Sequence, residues 1–444
     1  MKYLAILKDS LREAIDNKVI FVMIGLSLLV TLFVLTTSFT PFSAQKMMDR
    51  AVKGDFLGFG QFNEGGQGHV RKMWGAKDEL GEFSVRKVEV LRGEPDAPES
   101  AYRLTVALLS PTAEKAEQVR KAPGEALGRL RMNLTVAQEV GAFKLGDVRL
   151  AEGQGGADKG AEARTVLFVA TTEPVESARL GWAHEYSLFG GAVPLGGGSP
   201  LGMVLWFSAV SFLGIGSLVT LLVSLIITAF FIPNMLRKGT IDLLLVKPIH
   251  RWTLLTYKYI GGLTFILINT TVAVVGMWLA LGLRSGVWAN SFLLMIFVYT
   301  FFFAILYAVS ALFGVLTRSS IVAILVTCGV WFVLFIVGQL YGFGEMLAMQ
   351  EDRKQVPAAQ RSSDNAFWNT MRVIHFVLPR TRDLDQLGNQ ALLRDFTPPT
   401  AYGQAARTTL ERRSFDWTES IVVSLAFIAV MLGLSCWRFA TKDY

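Results

Sequence analysis

Apolar residues in this chain gather in six long blocks separated by ordinary polar sequence. The uncharged stretches lie at about 19–39, 203–232, 259–283, 287–317, 319–341 and 420–437. Each reaches or nears the ~20 residues that a helix needs to cross ~30 Å of hydrocarbon. An unpaired backbone group in lipid costs several kcal/mol, and runs this long lack the alternation of barrel strands. The pattern therefore predicts a mainly α-helical polytopic membrane protein with six transmembrane helices.

Residues 42–200, between the first and second blocks, have the pattern of a folded polar domain. Strict alternation over Tyr102–Leu108 and again over Leu130–Val136 predicts two strands, with weaker strand signals at 83–91, 143–150 and 164–170. A helix is predicted at 113–121, ended by Pro123, and loops are predicted at the glycine clusters 54–68, 153–160 and 190–198. We expect a large β-rich α+β domain here, inserted between helices 1 and 2, with 190–198 as its tether into the second helix.

Two further segments have helical periodicity outside the six blocks. Residues 1–18 place Leu4, Leu7, Leu11 and Ile15 at helical spacing, which predicts an amphipathic helix on the inner membrane surface. In the second long loop, 342–418, apolar residues recur over 366–378 before Pro379. This pattern fits an interfacial or re-entrant helix anchored by Trp368, and equally a small cap helix packed on the outer domain.

Basic residues near the block ends predict the orientation, and all of the following fall on one side if the helices alternate: Lys2, Lys8, Arg12, Lys18, Arg237, Lys238, Lys247, Arg251, Lys258, Arg318, Arg438 and Lys442. Both termini, including the tail 438–444, are then cytoplasmic and the two long loops lie outside. The first block could instead be a cleaved signal peptide. Against cleavage, 18 residues with three acidic side chains precede the block, and no clear small-residue cleavage site follows Phe42.

Composition narrows the functional classes. The chain is 52% hydrophobic and only 18% charged, which is too apolar for a soluble protein of 444 residues. The net charge of +7 is concentrated beside the apolar blocks, so it favours membrane orientation over nucleic-acid binding. Both cysteines, Cys328 and Cys436, lie inside apolar blocks, so no disulfide is expected in the polar domains.

Familiar catalytic and energy-coupling motifs do not occur in the sequence. No G-x-x-x-x-G-K-[ST] string is present to cradle phosphates, and no G-x-S-x-G or H-E-x-x-H string occurs. The histidines are dispersed, at His69, His184, His250 and His375, so no metal site is predicted. The six stretches hold neutral polar residues such as Asn269 and Gln339 but no ionisable group of the kind that carries a coupling ion. Energy for transport would therefore have to come from a partner.

The cytoplasmic loop 233–258 has the form of a docking element. Gly239 permits a tight break, Thr240 can cap a following helix, and Asp242 sits in its first turn, where negative charge suits the helix dipole. Pro248 ends this short helix, and Leu243 to Leu245 give it an apolar face. The alternative is that this loop is a basic turn that lies against the membrane surface and has no docking role.

The same loop resembles that of the type-2 ATP-binding-cassette exporter permeases. The run Gly239-Thr240-Ile241-Asp242-Leu243-Leu244-Leu245, followed by Lys247-Pro248-Ile249 and Arg251, is similar to the G-T-(hydrophobic)-(acid)-L-L-L-x-x-P-I-x-R pattern of that family. The layout of helices and inserted loops agrees with it. The glutamate that such permeases often carry just upstream of Gly-Thr is missing, because Asn234, Arg237 and Lys238 occupy that stretch.

The resemblance implies a non-catalytic subunit of the bacterial cytoplasmic (inner) membrane, with ATP and Mg bound by a separate ATPase subunit and no cofactor in this chain. It also implies a homodimer or a heterodimer with a second permease, in contact with membrane lipid. The residues expected to couple to the ATPase are Arg237, Lys238, Gly239, Thr240, Asp242, Leu244, Lys247, Pro248 and Arg251. Two alternatives stay open: a membrane-anchored binding or assembly protein that acts through its outer domain, and a membrane-embedded enzyme.

Overall fold

A computed structural model describes residues 19–54, 80–151, 162–230, 233, 250–354, 365–398, 400, 403–404 and 416–441. The helix predicted at 1–18, the glycine cluster 153–160 and nearly all of the cluster 54–68 lie outside these residues. In chain order the elements are α1 (Val19–Leu35), β1 (Ser38–Pro41), α2 (Ala44–Lys53), β2 (Glu82–Arg92), β3 (Ala101–Leu109), α3 (Ala113–Lys121), α4 (Gly124–Glu139), β4 (Lys144–Leu150), β5 (Thr165–Glu173), α5 (Ala178–Gly181), β6 (Ala183–Leu188), β7 (Val193–Pro200), α6 (Leu201–Thr228), α7 (Arg251–Ser285), α8 (Met295–Thr317), α9 (Ser320–Arg353), α10 (Ala366–Val377), α11 (Thr381–Phe396) and α12 (Trp417–Thr441).

Helices occupy all six apolar blocks, as the hydrophobic pattern predicts. Four of the helices in the described residues are long and apolar enough to cross a membrane, at Arg251–Ser285, Asn290–Thr317, Ser320–Asp352 and Trp417–Thr441. The start of α7 and the end of α9 lie well outside the predicted stretches, because an uncharged run marks what hydrocarbon can hold, whereas a helix continues into water. Residues 251–258 are accordingly helical, although the sequence places them in the cytoplasmic loop.

The polar domain contains a four-stranded antiparallel sheet in the order β2-β3-β5-β4. Alternate residues of β3, including Tyr102, Leu104, Val106 and Leu108, are buried against one face of the sheet, where α2, α3 and α4 cover it. The strand predictions at 83–91, 102–108, 143–150 and 164–170 and the helix prediction at 113–121 are confirmed. Burying one sheet face against amphipathic helices gives this domain a hydrophobic core separate from that of the helix bundle.

A second sheet, in the order β1-β6-β7, joins this domain to the bundle. Only two residues separate the end of α1 from β1, and β7 runs directly into α6. Trp182, at the start of β6, is fully buried; its Nε1 donates to the Phe42 carbonyl at 2.9 Å and its ring lies 6.1 Å from that of Tyr102. Burial lowers the pKa of the neighbouring His184, which keeps that ring neutral at pH 7.

The strand predicted from Leu130 to Val136 is wrong, because these residues lie in α4. Leu130 and Leu134 are fully buried whereas Met132 is 45% exposed, which is helical rather than alternating burial. Leucines four residues apart fit both the two-residue period of a strand and the 3.6-residue period of a helix. The surrounding Glu, Ala, Leu, Arg and Met residues favour helix. Gly141, at φ +85°, follows the helix end, where its lack of a side chain permits the left-handed conformation.

The loop predicted at 190–198 is also partly wrong, because residues from Val193 onward form β7. Its glycines suggest a flexible tether, but Gly196 and Gly198 adopt positive φ within a strand whose register shifts twice against β6. Glycine at such irregular positions is common in strands, since side chains are strained there. The second helix is thus entered through a paired strand.

Leu134→Ala and Met132→Ala together test the helical assignment of α4. We expect Leu134→Ala to lower the free energy of unfolding of the outer domain by about 2–5 kcal/mol, because it removes buried methyl groups. Met132→Ala, at an exposed helix position, should change it by less than about 0.5 kcal/mol. Both changes in the free energy of unfolding are measured by denaturant unfolding of the purified full chain, with limited proteolysis of the α+β domain as the readout. Equal losses would indicate that the two side chains share one buried strand face.

Candidate functional site in the helix bundle

The predicted coupling residues fall mostly outside the described part of the chain. Arg237, Lys238, Gly239, Thr240, Asp242, Leu244, Lys247 and Pro248 lie there, and Arg251 alone is described, as the first residue of α7. Along the chain, the predicted loop is thus flanked by α6 and α7. Just inside that entry, Leu254 and Leu255 are buried, and Cys436 of α12 contacts the Trp252 carbonyl at 3.9 Å. Lys258, two turns into α7, is also buried.

Helices α1 and α7 pack closely through small and neutral polar residues. Ser27 Oγ donates to Asn269 Oδ1 at 3.3 Å, and Asn269 is fully buried. A side chain at Gly276 would collide with Thr31 Oγ1. At the outer end, Arg284 Nε donates to the Thr37 carbonyl at 2.5 Å. Such packing is typical of membrane helices, in which interhelical hydrogen bonds contribute about 0.6–2 kcal/mol each and small residues allow close approach.

Helices α7 and α8 are joined by aromatic stacking. The Tyr259 and Tyr307 rings lie 5.1 Å apart and nearly parallel, and Tyr259 donates to the Ala304 carbonyl at 2.7 Å. Gly262 makes room for this stack, because a β-carbon there would lie 2.5 Å from Tyr307 Cε1. Further out, the hydroxyl groups of Thr270 and Thr300 are 3.0 Å apart. The contacts around Asn269, the tyrosine stack and the threonine pair thus join α1, α7 and α8 through neutral groups.

Several ionisable side chains of the described bundle lie together where α9 extends past the predicted span. There His375 of α10 is buried, with its Nε2 3.3 Å from Asp383 Oδ1 of α11, and Asp383 is only 1% exposed. The Tyr341 ring of α9 stacks on the His375 ring at 3.8 Å. Tyr341 also donates to Glu345 Oε1 at 2.9 Å. We call His375, Asp383, Tyr341, Glu345 and the arginine pair described next the outer polar cluster, after the side on which the sequence predicts this end of the bundle to lie.

Arg380 and Arg382 complete the outer polar cluster and reach in opposite directions. Arg380 Nη2 donates to Glu419 Oε1 of α12 at 2.7 Å, and its Nη1 lies 3.9 Å from Asp383 Oδ2. Its backbone N–H donates to Ser424 Oγ on the same helix at 3.3 Å. Arg382 Nη1 donates to the Gly338 carbonyl of α9. The turn between α10 and α11 therefore links α12 to α9.

The sequence gives little indication of the outer polar cluster. Helix α10 matches the helix predicted at 366–378, and it packs mainly against α9. Helix α11 has no counterpart among the predictions. In the sequence His375 is far from the other histidines and has no metal-binding spacing. The turn at Pro379 brings it close to Asp383. Within the described residues, no group of three or more His, Cys, Asp or Glu side chains could hold a metal.

Arg380→Gln and Glu419→Gln test the electrostatic role of the outer polar cluster. Removing Arg380 leaves Asp383 buried without its neighbouring cation, which we expect to cost on the order of 3 kcal/mol. Glu419 is half exposed, so Glu419→Gln should cost about 1 kcal/mol or less. Thermal unfolding of the purified chain in detergent measures the two losses. The larger loss at Glu419 would show that the α12 contact, and not the buried carboxylate, determines the stability of the cluster.

A comparison with protein families gives one match over nearly the whole chain. A sequence model of the ABC-2 family transporter protein matches residues 4–444, so it covers the helix bundle, the inserted domain and the outer polar cluster alike. No curated protein matches the chain. The match agrees with the apolar helices of the bundle and with the resemblance of the loop after α6. The chain belongs to the ABC-2 family of transporter proteins.

Proposed function

We propose that this chain is the membrane-spanning permease subunit of an ATP-driven exporter and that a separate ATPase drives it. The family match over residues 4–444 carries this proposal, since ABC-2 proteins are membrane transport components that generally work with an ATP-binding subunit. The six apolar stretches of the sequence support it, because they hold no ionisable group that could carry a coupling ion, and transport would then need an external source of energy. The substrate would cross along surfaces lined by such neutral side chains.

The ATPase would dock on the cytoplasmic loop between α6 and α7. Closure of the ATPase on ATP would push the loop segment at about 240–247 and the N-terminal helix, and the bundle would rearrange around a dimer interface. The close packing at the start of α7 supports this route, because Leu254 and Leu255 are buried in the bundle and can transmit a displacement to it. In this scheme the chain binds neither ATP nor Mg itself.

Leu244→Asp tests the docking of the ATPase. Placing a carboxylate on the apolar face of the loop should abolish copurification with the P-loop ATPase, because the charge would have to be desolvated in the interface. Leu109→Asp is the matched control, since Leu109 is a 45% exposed leucine of the outer domain. It should leave copurification unchanged. Normal ATPase recovery with Leu244→Asp would contradict the proposed coupling site.

The proposed topology has six spans, both termini in the cytoplasm and the α+β domain outside a bacterial inner membrane. Two single cysteines, Leu109→Cys in the outer domain and Lys442→Cys in the tail, test it in a background with Cys328→Ser and Cys436→Ser. A membrane-impermeant maleimide added to intact spheroplasts should label position 109 and not 442. After lysis it should label both. Labelling of 442 in intact spheroplasts would overturn the orientation.

A membrane-anchored binding or assembly protein is the second candidate function. The separate hydrophobic core of the α+β domain favours it, because a domain with its own core can hold a partner without help from the bundle. In that case loss of the outer domain would abolish function, and disruption of ATPase docking by Leu244→Asp would not.

A further inference from the structure

The hairpin between β6 and β7 exposes large apolar side chains. At its turn, Phe189 is 59% exposed, Val193 44% and Leu195 62%. We call residues 188–195 the hairpin tip. No charged residue occurs from 186 to 200, so the tip is apolar throughout as well as exposed. Scattered single apolar residues are ordinary on a surface, but three within seven residues of an uncharged turn are not.

The hairpin tip lies at the end of α1. The Gly190 N–H donates to the Thr36 carbonyl at 3.4 Å, and Thr36 is the first residue after α1. Strand β6 also pairs with β1, so that Ser187 faces Ser38. These contacts fix the tip beside the last turn of α1. The C-terminal end of α7 lies close by, because Arg284 donates to the carbonyl of Thr37, the residue next to Thr36.

The apolar surface of the tip continues that of the adjoining helices. On the outer half of α1, Leu29 is 62% exposed, Leu32 63% and Phe33 42%. At the outer end of α7, Leu283 is 66% exposed. If α1 crosses the membrane as proposed above, these side chains face lipid and the hairpin tip lies at the boundary between acyl chains and headgroups.

We propose that the hairpin tip inserts into the outer leaflet and contacts lipid through Phe189, Val193 and Leu195. A hairpin suits this position, because strand pairing satisfies backbone groups on both sides of the turn and the Gly190 N–H donates to the Thr36 carbonyl. Apolar and aromatic side chains gain free energy at the membrane interface, whereas a charged turn would not. Phe189 also has φ +52°, a conformation disfavoured for residues with a β-carbon, which persists only where its surroundings compensate.

Fluorescence quenching in proteoliposomes tests the proposal. Single cysteines at Phe189, Leu195, Leu32 and Leu109, in the background lacking Cys328 and Cys436, are labelled with an environment-sensitive fluorophore. Quenchers are iodide in water and lipids with a doxyl group at carbon 5. Leu109 is the aqueous control, because it is 45% exposed in the polar α+β domain, seven residues along β3 from the Tyr102 ring that lies beside Trp182. Leu32 is the lipid control on α1.

We expect labels at Phe189 and Leu195 to be quenched by the doxyl lipid as strongly as the label at Leu32, and by iodide several-fold less than the label at Leu109. Iodide quenching equal to that at Leu109 would overturn the proposal. Protection from both quenchers would also overturn it and indicate that a second copy of the chain covers the tip. If Leu32 itself is open to iodide, the proposed span of α1 fails instead, so the two failures are distinguishable.

Discussion

The pairing of β6 with both β1 and β7 connects the two halves of the molecule. Strand β1 follows α1 after two residues, and β7 leads into α6 with none between. Because neighbouring strands lie ~4.8 Å apart, the strands that leave α1 and enter α6 are held about 10 Å from each other across β6. The α+β domain is therefore connected to the bundle through paired strands and not through flexible linkers. Its position is determined by the same hydrogen bonds that set the distance between two helices of the bundle.

The distribution of polar groups in the bundle follows from the cost of desolvation. Contacts inside the α1–α7–α8 core use hydroxyl, amide and aromatic groups, such as the pair Ser27 and Asn269. A charge at the same depth would cost several kcal/mol unless it were paired. Ion pairs occur instead in the outer polar cluster, where Glu419 is half exposed and Arg380 can offset the buried Asp383. Neutral groups thus join the middle parts of α1, α7 and α8, and ion pairs join α10, α11 and α12.

The sequence was sufficient where one physical signal dominates. Long apolar runs have few alternatives to helix, and all six blocks are helical. Alternation identified β3, since every second residue from Tyr102 to Leu108 is buried. It failed over Leu130–Val136, where a spacing of four fits both periods and helix propensity decided the outcome. At 190–198 the glycines indicated a loop, but pairing with β6 overrode the local preference.

The outer polar cluster was not predictable for a different reason. His375, Asp383 and Arg380 are close in sequence, but Tyr341 and Glu419 are far from them along the chain. Their juxtaposition depends on the turn at Pro379 and on the extension of α9 beyond its apolar run, neither of which has a periodic signature. Arg251, the predicted coupling residue that the structure describes, begins α7, whereas the uncharged stretch predicted from the sequence begins only after Lys258. Charged residues near helix ends mark the membrane boundary and say little about where the helix begins.

Helix α6 gives the molecule one continuous path between its two sides. It begins at the β7 strand end, where the Leu201 N–H donates to the Trp182 carbonyl at 3.1 Å and a side chain at Gly202 would collide with the Phe396 carbonyl. Its 28 residues span about 42 Å. These backbone contacts tie the first turn of α6 both to the residue before β6 and to α11. Any displacement delivered through the loop must therefore either tilt α6 about this end or carry the outer domain with it.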